Sequence, residues 1–219
     1  MMKEERISEI IEILNKDLKK YQTPIVTKIS ERKDPFKVLI SCILSLRTKD
    51  ETTRKASEKL FRLADNPKKM LKLDVKQIEK AIYPVGFYKV KAKNIKEISK
   101  TLINNYNGKV PDDFNELLKL KGVGKKTAAI TIVYGHNKPD FIPCDVHVHV
   151  VSNRLGWVKT KNPDQTMDEL MKIVPKKYWY DLNNLFVIFG QNICITISPF
   201  CSKCPINKYC PRIDIIKSR

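Results

Sequence analysis

Three observations predict an all-α fold. Apolar residues recur at helical spacing almost throughout the 219 residues. Acceptor side chains and a proline stand where helices should begin. Glycine is scarce, at 7 residues, so Gly122 and Gly124 stand out as a turn between two helical segments that needs unusual backbone angles.

The first helix carries Ile7, Ile10, Ile11, Leu14, Leu18 and Tyr21 on one face. Asp34-Pro35 then opens an apolar helix through Leu46, because proline at the first helical position lacks an N–H that would go unpaired there anyway. Asp50 opens another helix, and Asp74 with Gln77 three residues later forms a capping box. Further helices are expected from Lys89 to Tyr106, Asp112 to Leu120, Lys125 to Tyr134, Asp145 to Leu155, Pro163 to Ile173 and Tyr178 to Ile193. Residues 146–150 alternate like a strand, yet Val146, Val150 and Leu155 also fit a helix capped by Asp145; periodicity leaves both open. The chain shows no repeat, low-complexity stretch or long linker. Its length allows one large domain or two small ones with a cleft between them.

Lys and Arg number 42 against 24 Asp and Glu, a net charge of +18. Such a surface implies an anionic partner, and a phosphate chain rewards dispersed cations through counterion release. The bland alternative is a generically basic surface, as on a ribosomal or thermophile protein. No apolar run approaches the ~20 residues of a spanning helix, and Met1 to Glu12 lacks the apolar stretch of a signal peptide. A cytoplasmic, nucleoid-associated protein is therefore expected, with no membrane partner.

Four of the 6 cysteines crowd the last quarter as Cys194, Cys201, Cys204 and Cys210, with Pro199, Pro205 and Pro211 stiffening the loops. Four thiolates from one tight segment suit tetrahedral zinc or a [4Fe–4S] cluster. Zinc sites favour two CxxC pairs, whereas only Cys201 and Cys204 form one here, and the longer unequal gaps favour the cluster. Disulfides fit poorly with a reducing compartment. Cys42 and Cys144 read as packing residues. His136, His147 and His149 form no defined ligand set.

The turn Gly122-Val123-Gly124 brings backbone N–H groups to the head of a helix, where they grip phosphate without reading sequence. Lys125, Lys126 and Thr127 follow. In the first helical turn the macrodipole and a neighbouring lysine both disfavour an ammonium at Lys126, which suits a nucleophile. The competing reading makes both lysines solvated phosphate clamps.

Taken together, the hairpin, the Asp145-Val146-His147 segment and the four cysteines resemble the endonuclease III family, in order and at compatible separations. Supporting matches are Leu44-Ser45-Leu46-Arg47-Thr48-Lys49-Asp50, Val85-Gly86-Phe87-Tyr88 with Lys91-Ala92-Lys93-Asn94-Ile95, and Asn107-Gly108-Lys109-Val110-Pro111. The resemblance implies a two-domain helix-hairpin-helix DNA glycosylase fold. Its six-helix barrel would span residues 28–138, with the hairpin at about 112–134. Its iron–sulfur domain would be formed by 1–27 and 139–219, with DNA held in the cleft between. By the same resemblance Lys126 is the nucleophile, Asp145 the catalytic aspartate, and Cys194, Cys201, Cys204 and Cys210 hold a [4Fe–4S] cluster. Gly122, Val123, Gly124, Lys125, Thr127, Arg47, Phe87 and His147 would face DNA, with His147 in a structural or hydrogen-bonding role.

The implied activity is bifunctional: removal of oxidised pyrimidines through a lysine Schiff base, then strand cleavage 3′ to the abasic site. The partner would be double-stranded DNA with damaged pyrimidines or abasic sites, bound by a monomer. Two positions depart from the family pattern. Lys121 replaces a common proline, and Arg47 stands where many members have glutamine, which bears on lesion preference. Competing readings are a monofunctional glycosylase for mismatched thymine or uracil, which usually replaces the lysine, and a non-catalytic hairpin module, which would have no use for Lys126 with Asp145. The adenine-removing branch needs a glutamate that the helix Val38 to Leu46 lacks.

Overall fold

Short polar side chains start the helices by accepting N–H groups that the first turn leaves unpaired. Asp34 accepts from Lys37 N at 3.1 Å ahead of α2 (Pro35–Ser45). Asn66 does the same for α4 (Pro67–Lys72), Asp113 for α7 (Phe114–Leu118) and Asn162 for α10 (Pro163–Ile173). The capping box at Asp74 and Gln77 starts α5 (Val75–Ile82) with both reciprocal bonds at 2.8 Å. The remaining helices are α1 (Lys3–Asp17), α3 (Asp50–Leu63), α6 (Tyr88–Tyr106), α8 (Lys125–Ile130), α9 (Val146–Arg154) and α11 (Leu182–Asn192).

This computed structural model describes residues 3–21 and 34–219, and no strand occurs among them. The all-α expectation therefore holds, and residues 146–150 are helical. Three segments differ from the sequence reading. Helix α4 was not expected, although Asn66-Pro67 is a start signal. The helix from Lys125 widens into a π-turn at Thr131–Gly135, where the Thr131 hydroxyl donates to Thr127 O and His136 N reaches back to Thr131 O. The segment from Tyr178 begins instead with a 3-10 turn (Lys176–Tyr178), and α11 follows from Leu182.

Chain contacts divide the protein into two units, Met1–Pro24 with Pro139–Arg219, and Ile25–Lys138. The junction expected at residues 27 and 28 lies outside the described residues. In the Ile25–Lys138 unit, α2 is the interior element: Phe36 to Leu44 are buried apart from Lys37. The π-turn closes on it so tightly that a Cβ on Gly135 would lie 2.9 Å from Pro35 Cα. In the other unit, α1 buries Ile7, Ile10, Ile11 and Leu14, and α11 is buried from Leu182 to Gly190 apart from half-exposed Asn184. Each such aliphatic side chain contributes roughly 1.5–3 kcal/mol by leaving water. Tyr178 donates to Glu12 at 3.2 Å and Tyr209 donates to Glu9, tying α1 to the C-terminal segment. No helix among the described residues is long and apolar enough to cross a membrane.

Candidate functional site

Between α7 and α8 the chain turns through Leu120, whose carbonyl accepts Val123 N at 3.1 Å. Both side chains point inward and are buried. Gly122 adopts φ 77°, and an added Cβ would lie 2.6 Å from Asn94 Nδ2 of α6. Gly124 differs: its φ is −103°, and an added Cβ would meet nothing within 4 Å. Unusual backbone geometry therefore belongs to Gly122 alone, while Gly124 leaves open space at the head of α8. That helix starts without a side-chain cap, and its first three residues are Lys125, Lys126 and Thr127. The two lysines are half-buried. Thr127 is buried, accepting a weak hydrogen bond from Cys42 Sγ at 3.5 Å, so it offers an approaching anion its backbone rather than its hydroxyl.

Asp145, in the other unit, is the N-cap of α9. Its Oδ1 accepts from His147 N at 2.8 Å and Val148 N at 3.0 Å. The carboxylate thus sits half-buried at the N-terminal end of α9. The His147 ring lies against Gly190 of α11, where a Cβ would come within 2.7 Å of Nδ1. His136 Nε2 bonds Pro111 O and His149 Nδ1 bonds Thr166 Oγ1, so these rings are engaged by their own surroundings.

Arg47 and Phe87 are brought together although 40 residues separate them in the chain, the Arg47 guanidinium carbon lying 5.7 Å from the Phe87 ring centroid. Both take left-handed backbone angles, φ 52° and 58°. Phe87 is 62% exposed, which removes core packing as its role.

Cys194, Cys201, Cys204 and Cys210 line one pocket of about 360 Å³, part of it open to solvent, among the apolar side chains of Phe189, Ile193 and Ile206. None of them is in a disulfide. Burial pushes the Cys194 and Cys210 thiols up and the Cys204 thiol up to about 12. Thiols so placed ionise only with cationic compensation, which metal coordination supplies. Arg154 donates to Cys194 Sγ at 3.4 Å, and Arg212 N donates to Cys210 Sγ at 3.4 Å. Among the described residues no group of His, Cys, Asp or Glu is arranged around a single metal ion.

Two buried cations were given no role by the sequence reading, although Lys91 falls within one of the matching segments. Lys91 shares the helical face of Ile95, Ile98 and Leu102, a register that could have marked it. Arg154, 8% exposed, bonds the carbonyls of Cys194, Ile195 and Thr196, and nothing local in the sequence announces that.

The model for the HhH-GPD superfamily of base excision DNA repair proteins matches residues 40–176. Endonuclease III of Thermotoga maritima is 46% identical over 177 residues, covering 81% of this chain and 83% of that one. Among solved structures, a trapped endonuclease III–DNA covalent intermediate aligns at a TM-score of 0.84 and 31% identity, with 97% of both chains covered. A thermostable thymine-DNA glycosylase aligns at 0.83 and 27% identity, covering 96% of this chain and 95% of that one.

Proposed function

Because the chain belongs to the endonuclease III family, within the HhH-GPD superfamily of base excision DNA repair proteins, we propose that its glycosylase and lyase chemistry runs through Lys126 with assistance from Asp145. The protein is a bifunctional base excision repair enzyme, a DNA glycosylase and abasic-site lyase. The proposal adds the residues and the lesion. It is carried by one observation: Lys126 stands in the first turn of α8, directly after a hairpin whose Gly124 leaves open space at the helix head.

The lesion is an oxidised pyrimidine, whose lost aromaticity weakens stacking and lowers the cost of flipping it from the duplex. Neutral Lys126 Nζ attacks C1′, forming a C–N bond as the glycosidic bond breaks and the base leaves with the bonding pair. Loss of a proton from nitrogen and opening of the sugar ring give the Schiff base. Its electron-withdrawing iminium acidifies C2′–H, and removal of that proton expels the 3′ phosphate by β-elimination. The Asp145 carboxylate stabilises positive charge developing on the sugar and helps manage the lysine proton. Gly122, Val123, Gly124, Lys125 and Thr127 hold the phosphate backbone, largely through backbone N–H groups. Arg47 and Phe87 fill the gap that flipping leaves in the stack. His147 supports Asp145 from the first turn of α9.

Cys194, Cys201, Cys204 and Cys210 would hold the [4Fe–4S] cluster that the family carries, and four thiols lining one largely apolar pocket fit that group. Bound there, it supplies a cross-link for the C-terminal loops rather than a reacting centre. Lys203, Lys208 and Arg212 on those loops face phosphate. The protein acts as a cytoplasmic, nucleoid-associated monomer.

Borohydride reduction during incubation with DNA containing an oxidised pyrimidine tests the lysine chemistry. Wild type should be trapped covalently and Lys126→Gln should not. Trapping by Lys126→Gln together with its loss in Lys125→Gln would move the nucleophile by one position. The second reading, a monofunctional thymine or uracil glycosylase, draws on the thymine-DNA glycosylase likeness, and Lys126 argues against it. It predicts base release with no trapping by wild type.

A further inference from the structure

We propose that Lys91 is a positioning residue that fastens the loop carrying Arg47 to the loop carrying Phe87, so that the two side chains stand out as one preformed wedge. This rests on the reading above that both enter the duplex. Lys91 is only 5% exposed, within α6. A buried ammonium is costly unless its three protons find acceptors. Here they find Leu44 O at 2.9 Å, Leu46 O at 2.5 Å and Thr48 Oγ1 at 3.2 Å. The two carbonyls belong to the end of α2, where the macrodipole is negative and the helix itself supplies no donors. Burial still pushes the ammonium down to about 8, so the position is demanding, and capping one helix does not require a cation so deeply placed.

The same residue reaches the other loop. Lys91 N donates to Phe87 O at 3.0 Å. The Thr48 hydroxyl that accepts from Lys91 Nζ also accepts from Gly86 N at 3.2 Å and donates to Leu46 O at 3.2 Å. Gly86 lies so close to the first loop that a Cβ would come within 2.6 Å of Arg47 O. Lys91, Thr48 and Gly86 therefore join two chain segments about 40 residues apart, and on either side of the joint stand the left-handed residues Arg47 and Phe87. Left-handed angles at non-glycine residues are strained and persist where the surroundings over-determine them. Ordering both loops in advance removes that ordering cost from the step in which the stack opens.

The test uses full-length protein with Lys91→Met, which keeps the stem but not the donors, and Thr48→Val, which removes the shared hydroxyl at nearly constant shape. Stack opening is read by fluorescence of 2-aminopurine placed beside a tetrahydrofuran abasic analogue in duplex DNA, which requires no lysine chemistry. Borohydride trapping on a single-stranded abasic oligonucleotide reads the chemistry without a stack to open. Both variants should lose most of the fluorescence rise and excise duplex lesions about tenfold more slowly or worse, as misplacement of a positioning group does. Single-strand trapping should stay within about twofold of wild type. Phe87→Ala should likewise lose most of the fluorescence rise. Undiminished opening in both variants, or equal losses on single strand and duplex, overturns the proposal; should Lys91→Met not fold, Thr48→Val decides. Failure of wild type to trap at all would instead count against Lys126, with the opening signal still judging Lys91.

Discussion

Asp145 caps α9 through Oδ1 and, in the proposed reaction, supplies negative charge to the sugar. Asparagine preserves the first role, because its amide oxygen accepts the same two N–H groups, and abolishes the second. Asp145→Asn should therefore melt within a few degrees of wild type while single-turnover base release falls about 10²-fold or more. Asp145→Ala should lose the rate and also about 1 kcal/mol of stability through the missing cap. If asparagine keeps the wild-type rate, the carboxylate is a cap and nothing else. At this scale the sequence was informative where chemistry and local geometry coincide: an aspartate before a helix and a lysine after a Gly-Val-Gly turn are both visible in a few consecutive residues. Phe87 was not readable in this way. A phenylalanine between helices can be core or wedge, and its 62% exposure excludes only the core.

Within the hairpin the two glycines make different demands, and alanine distinguishes them. Gly122→Ala forces a left-handed angle on a residue with a Cβ and presses it onto Asn94, so it should lower stability by about 1–3 kcal/mol and weaken DNA binding with it. Gly124→Ala meets no protein atom and should leave the melting temperature unchanged, yet reduce DNA affinity severalfold by obstructing the approach of phosphate to α8. Melting curves and a DNA titration on both variants check this; unchanged affinity in Gly124→Ala would remove α8 from the interface. Helices α9 and α10 are joined by a different device, in which Asn153 and Thr166 bond His149 Nδ1 and Thr160 bonds both of them. Burial holds the His149 imidazole below its ordinary 6.5. The unfolded chain consequently takes up the proton first as pH falls, so the stability this group contributes is present above 6.5 and is lost as pH drops towards its folded-state value. Melting temperatures between about pH 7.5 and 5 should fall more steeply for wild type than for His149→Gln. Parallel curves would place the acid sensitivity elsewhere.

For the whole molecule, the cysteine pocket ties distant segments together, and its expected content is measurable. Anaerobically prepared protein should be yellow-brown and carry about four iron atoms per chain. Cys204→Ser should lower iron content and destabilise the C-terminal loops. Stoichiometric zinc without iron would overturn the cluster assignment. The sequence by itself determined the all-α architecture and most helix starts. Those signals act over one helical turn, through caps and apolar periodicity. The π-turn after α8 escaped that reading, and in the fold its Gly135 meets Pro35, far back in the chain. The tertiary structure alone decided which groups meet across large separations: Gly86 N with the Thr48 hydroxyl over 38 residues, Tyr209 with Glu9 over 200, and a buried lysine with three oxygens at another helix end. Such meetings depend on how whole helices pack. A basic residue in an amphipathic helix looks the same in sequence whether it faces solvent or, like Lys91, lies beneath the surface holding two loops.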